Sequence, residues 1–244
     1  MITYDIAALL KRFDTFEFGQ GGVTGRLSSL VGEELLLDVL AHALADGGPV
    51  ELLPERPRRD DQAFKDAPSD VAVPKVRDLD FWLQLRYREL MVVECKQWTA
   101  SSAYGGGSVP EDPAGIAEYA RRRWEELDVP EWWSNKWDDT TKIALPLRPP
   151  AGRTAEDVRK ARRVLAVWRP ISSNGGSPFS QLSSQTLSGG EWVDVPIEVF
   201  SASLYLRQLL ADGVRTLTPV FDGAQTLFDA VNALFHREPD APDS

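Results

Sequence analysis

Residues 77–98, RDLDFWLQLRYRELMVVECKQW, decide how this chain is read. Two runs with strand character, Leu79–Arg86 and Leu90–Trp98, flank a short polar link, Tyr87-Arg88-Glu89. In the first run Phe81, Leu83 and Leu85 alternate with Asp80, Gln84 and Arg86. A two-residue period of this kind predicts a half-buried strand. The second run is apolar until Glu94 and Lys96 interrupt it. Paired as a hairpin turning at Arg88, the runs set Trp82 opposite Glu94 and Asp80 opposite Lys96. Alternation then sends Asp78, Asp80, Glu94 and Lys96 to one face, and Phe81, Leu83, Val93 and Cys95 to the other. Three carboxylates and one ammonium thus gather at one end of a sheet.

That grouping has a chemistry. Neighbouring carboxylates repel one another unless a cation lies between them. All-oxygen donors suit a hard ion such as Mg²⁺ or Mn²⁺, which keeps waters and takes phosphate oxygens as further ligands. A lysine beside such an ion can orient an attacking water or neutralise charge building on phosphorus. A solvated surface hairpin would carry the same charges, but a charge on an apolar strand is costly without a partner.

At these residues the sequence resembles the PD-(D/E)XK nuclease superfamily, whose pattern is an acid opening one strand and Glu-x-Lys on the next. Here that reads Asp80, then Glu94-Cys95-Lys96. The resemblance implies a restriction-endonuclease-like core and a Mg²⁺- or Mn²⁺-dependent nuclease acting on nucleic acid, DNA ahead of RNA. It further implies Asp80 and Glu94 as metal ligands, Lys96 near the nucleophilic water, and an accessory glutamate on the first helix. Gly32-Glu33 is similar to the family's Gly-Glu step, with Glu34 as the alternate. Enzymes of this superfamily serve restriction, repair and anti-phage defence. A Gln-x-x-x-Tyr signature of its exonuclease-like branch is absent, because Gly115 stands four residues before Tyr119.

At 244 residues the chain is long enough for one large domain, and 43% hydrophobic residues with eight Trp allow a substantial core. One cysteine excludes an intramolecular disulfide and a cysteine-based zinc site. The absence of a long apolar run or a leader-like N-terminus predicts a cytoplasmic protein with no membrane association. The net charge of −10 runs against phosphate binding by the whole surface, so a local basic groove and a protein partner or homodimer are expected. Two histidines, His42 and His236, lie far apart in sequence and suggest no histidine-dependent mechanism.

Taken in order, the chain predicts a short helix over 4–13 and a flexible glycine-rich loop through FEFGQGGVTG. A long helix follows over Arg26–Ala45, then a first strand at Pro49–Glu55. Arg56, Arg58 and Arg59 form one candidate phosphate-contacting patch, and Arg121, Arg122 and Arg123 on a helix over Ala114–Leu127 form another. Residues 129–150 are a tryptophan-rich insertion, with Trp132, Trp133 and Trp137 able either to stack on bases or to anchor the segment. Thr154 caps a short helix, and Val164–Arg169 is a buried strand. The Ser/Gly-rich residues 171–190 read as a long loop, followed by a strand over Trp192–Phe200 and a helix over Ser201–Asp212. A last helix is expected near Ala224–His236. The fold class is α/β, a mixed central sheet flanked by helices. Residues 1–25 form an N-terminal segment, 26–170 the nuclease-like core, 171–236 a C-terminal part of the same domain, and 237–244 a disordered tail. A non-catalytic nucleic-acid-binding or assembly subunit with the same fold is the alternative to an enzyme, and a globular protein with no nucleic-acid role is a third reading.

Overall fold

The computed structural model describes residues 3–15, 23–65, 78–96, 108–128, 143–188, 191–223 and 226. Its centre is a six-stranded mixed sheet in the order β2-β3-β4-β5-β7-β6. The strands are β2 (Glu51–Leu52), β3 (Phe81–Gln84), β4 (Leu90–Lys96), β5 (Arg162–Val167), β6 (Phe179–Ser188) and β7 (Glu191–Ser201). β4, β5 and β7 run parallel to one another, while β2–β3, β3–β4 and β6–β7 pair antiparallel. Two short strands, β1 (Tyr4–Asp5) and β8 (Thr216–Leu217), pair separately.

The alternation along β4 divides the core. Met91, Val93 and Cys95 face a layer made by α1 (Ile6–Thr15), α2 (Val23–Leu44) and α5 (Ala202–Ala211), packing with Ile6, Leu36, Leu40 and Leu206. Leu90 and Val92 face the other way, against Trp82, Ile143, Leu145 and Val158, the last from α4 (Ala155–Lys160). A strand buried on both faces must be apolar throughout, and Leu90–Val93 is. The N-terminal residues therefore belong to the main core, since Ile6 and Leu10 are buried within it. Arg207 of α5 pairs with Asp14 of α1 and ties these two helices together.

Several terminators follow from local chemistry. α4 starts on a capping box: the Asp157 amide donates to Thr154 Oγ1 at 3.2 Å, and the Thr154 amide donates to Asp157 Oδ2 at 2.8 Å. α5 starts at Ser201, whose hydroxyl oxygen accepts from Leu204 and donates to the Arg169 carbonyl at 2.7 Å. It ends at Gly213, where a φ of 86° lets the Val214 amide reach back to the Leu209 carbonyl at 2.9 Å.

The structure corrects the sequence reading in three places. The helix expected from Arg26 begins at Val23, so the last residues of the glycine-rich stretch are helical; residues 16–22 lie outside those described. Residues 179–188, expected as loop, form β6 and extend the central sheet. As an edge strand with a single neighbour it buries little, and Phe179, Leu182 and Leu187 fall out of a two-residue period, which hid it. The β3–β4 register is also displaced by two residues: Trp82 faces Val92 rather than Glu94. The cause is the turn, which centres on Tyr87 with both Tyr87 (φ 60°) and Arg88 (φ 64°) left-handed. A two-residue displacement preserves which face each side chain takes.

Candidate functional site

β4 ends with Glu94-Cys95-Lys96 beside the C-terminal end of β5, where Lys96 pairs with Val167. In sheets of this type the open crevice lies beyond the carboxyl ends of the parallel strands. Glu94 is 0% exposed, and its Oε1 lies 2.7 Å from the Lys96 ammonium, which is 24% exposed. A carboxylate so buried is sustained only by ionic or hydrogen-bonding partners, and the lysine supplies one.

Asp80 occupies the bend just before β3. The last ladder pair is Phe81 with Val93, so one further step sets Asp80 across from Glu94, not across from Lys96 as the sequence led one to expect. Its carboxylate does what a strand backbone would have done: Oδ2 accepts the Cys95 amide at 2.8 Å. Asp80 thereby fixes the end of β4. Nothing in the sequence pattern signals that main-chain contact.

Cys95 reports the field at this end. Its thiol is held well above the ordinary range, first by burial and then by the negative charges of Asp80, Glu33, Glu94 and Glu34, in that order. Four carboxylates therefore act on one buried sulfur and disfavour its thiolate. Glu33 reaches this region from α2. The helix is fastened there by Trp168, whose indole N–H donates to the Gly32 carbonyl at 3.3 Å. Glu34 looks elsewhere. Its carboxyl is raised by burial and by Asp38, with Arg56 opposing. A Cβ on Gly223 would fall 2.8 Å from its Oε2, so Glu34 is packed against the chain near Gly223.

The six arginines divide. Arg59 is buried, donates from Nε to Asp61 at 2.7 Å and lies over the Phe64 ring. Arg123 is buried against the Tyr119 ring. Arg56, Arg58, Arg121 and Arg122 are exposed; Arg58 lies 3.6 Å from Asp78, and Arg121 lies 3.2 Å from Glu118. The helix carrying Arg121, α3 (Pro113–Asp128), rests against the loop that follows β5. There the Ser172 amide donates to the Ala120 carbonyl, and Gly175 sits where a Cβ would meet the Ala117 oxygen at 2.6 Å. This is the same end of the sheet as Glu94. His42 is engaged with the Tyr205 hydroxyl at 2.7 Å, away from that end. His236 and Trp132, Trp133 and Trp137 lie outside the described residues.

Among the described residues no three His, Cys, Asp or Glu side chains converge closely enough to enclose a metal ion. The donors at the end of β4 are nonetheless hard oxygens. Mg²⁺ binds through one or two carboxylates and completes its shell with water and phosphate, so Asp80 and Glu94 fit such an ion in kind and in number. No family model, curated protein or solved structure matches the chain.

Proposed function

We propose that this chain is a Mg²⁺- or Mn²⁺-dependent nuclease that hydrolyses phosphodiester bonds, with DNA as the favoured substrate. The observation that supports it most is the fully buried Glu94 carboxylate, 2.7 Å from the Lys96 ammonium, at the carboxyl end of β4 and across from Asp80. A purely structural strand end has no need of a buried acid and a half-buried base on one face. Asp80 and Glu94 would hold the cation, which when bound polarises a phosphoryl oxygen and acidifies water. Lys96, partly open to solvent, would hold the attacking water by hydrogen bond and offset the charge growing on the phosphorus oxygens. Cys95 would leave its amide to Asp80, keeping that carboxylate fixed while the substrate arrives. Glu33 would act as an accessory acid from α2. The exposed Arg56, Arg58, Arg121 and Arg122 would meet phosphates, with a cytoplasmic setting and a protein partner as the remaining parts of the reading.

The test is cleavage of linear, circular and single-stranded DNA and of RNA by purified protein with Mg²⁺, Mn²⁺ or chelator. Metal-dependent cleavage of DNA that disappears in Glu94→Gln is expected. Binding of nucleic acid without cleavage under any of these conditions would instead identify the non-catalytic subunit.

A further inference from the structure

The two edges of the central sheet are built differently. At one edge β2 is two residues long, carries Glu51, and has Pro49 before it and Pro54 after it. Short length, charge and proline are the ordinary means of keeping a sheet edge from pairing with another chain. At the other edge β6 is ten residues long, FSQLSSQTLS, with no proline and no charged residue. In a chain that is 26% charged, ten consecutive residues would be expected to hold two or three charges, so β6 is the stretch that lacks protection. Among the described residues β7 is its only strand neighbour.

We propose that β6 is the docking edge for a second copy of this chain, pairing antiparallel with the partner's β6 about a two-fold axis. Two copies each carrying −10 repel, and the contact must be made where neither brings charge. An uncharged strand meets its own copy without placing like charges opposite in any register. The arrangement also closes. Once the two β6 edges are joined, the strand edges left among the described residues are the blunted β2 and the outer part of β7, residues 191–197, which carries Glu191, Asp194 and Pro196, so assembly stops at a dimer instead of growing into a fibre. On β6 itself Gln181, Ser183 and Gln185 are exposed, while Thr186 and Leu187 are buried; the ribbon is therefore covered in part. The proposal does not depend on the nuclease reading.

The test is solution mass by light scattering for wild type and for Ser183→Lys combined with Gln185→Lys. Both side chains are exposed and face Pro196 and Asp194 across the hairpin, so the lysines meet no like charge within the chain. Wild type is expected at twice 27.1 kDa and the variant at 27.1 kDa, with matched circular dichroism and melting temperature. As a second measurement, amide hydrogen exchange over 179–188 should slow with rising wild-type concentration and should not in the variant. Monomeric wild type at the highest soluble concentration, an unaltered dimer in the lysine variant, or mass that grows without limit would each overturn the proposal.

Discussion

Replacing Lys96 by alanine leaves Glu94 with its carboxylate 0% exposed and without the ammonium that now lies 2.7 Å away. Removing one partner of a buried ion pair costs about 3–5 kcal/mol, most of it from the charge left behind. The lysine end is 24% exposed, so water offsets part of the loss and the lower figure, about 3 kcal/mol, is expected. For a chain of this size roughly 2–4 °C of melting temperature accompanies each kcal/mol, which gives a drop of about 6–12 °C. Lys96→Met with Glu94→Gln removes both charges together and should recover most of that drop. Cleavage has to be read well below the lowered midpoint, where Lys96→Ala is still folded. There it should be slower by about a hundredfold or more, the loss typical of removing one donor to developing negative charge. Lys96→Arg should rescue stability better than activity, because a planar guanidinium keeps the ion pair but not the compact donor geometry. Unfolding of Lys96→Ala that superimposes on wild type would refute the reasoning that the pair holds a buried charge. A destabilised variant that cleaves at the wild-type rate would make the lysine a structural residue alone.

Asp80→Asn keeps an oxygen to accept the Cys95 amide but loses the negative charge, so it should melt within about 1 kcal/mol of wild type while cleavage and the thermal shift on adding Mg²⁺ both fall. Replacing Tyr87-Arg88 by Asn-Gly relieves two left-handed non-glycine residues and gives up a tyrosine that is 86% exposed; stability should rise by about 1–2 kcal/mol, measured by urea unfolding. The Asp38 carboxyl is raised above its ordinary range, chiefly by burial, although its Oδ1 accepts the Val220 and Phe221 amides. The folded chain therefore binds that proton more tightly than the unfolded chain, and this residue's contribution to stability falls as pH rises upward from about 4. Asp38→Asn keeps the acceptor and should flatten that part of the pH–stability curve, whereas an unaltered slope would remove Asp38 from the effect.

The sheet's centre was legible because burial on both faces forces an apolar strand, and β4 has few other ways to read. Helix ends announced by chemistry were legible too: Thr154 with Asp157, and Ser201 with Gly213, each satisfy backbone groups that sequence alone can assign. β6 was not legible. Its serines and glutamines carry no period, because an edge strand with one neighbour is selected by backbone pairing more than by side-chain burial. The register of β3 on β4 was read two residues off, since a turn with Tyr87 and Arg88 both left-handed runs against the residue preferences that normally reveal such turns.

The grouping of Asp80, Glu94 and Lys96 on one face is unchanged by that displacement for a physical reason. Side chains alternate with a period of two, so a two-residue displacement changes partners but never faces, whereas a displacement of one would have turned Asp80 away from Glu94. What the sequence could show was which residue types share a face. How they are held was beyond it, because the Asp80 contact to the Cys95 amide and the Trp168 contact to the Gly32 carbonyl join residues 15 and 136 positions apart through backbone atoms that no residue type encodes. The Trp168 contact also bears on α2, because it holds Gly32, the residue before Glu33, beside the end of β5. With Gly32 tied to the end of β5, the helix is set at one rotation about its axis. Successive residues then point about 100° apart, so Glu33 and Glu34 leave the helix in different directions, and Glu34 lies against Gly223.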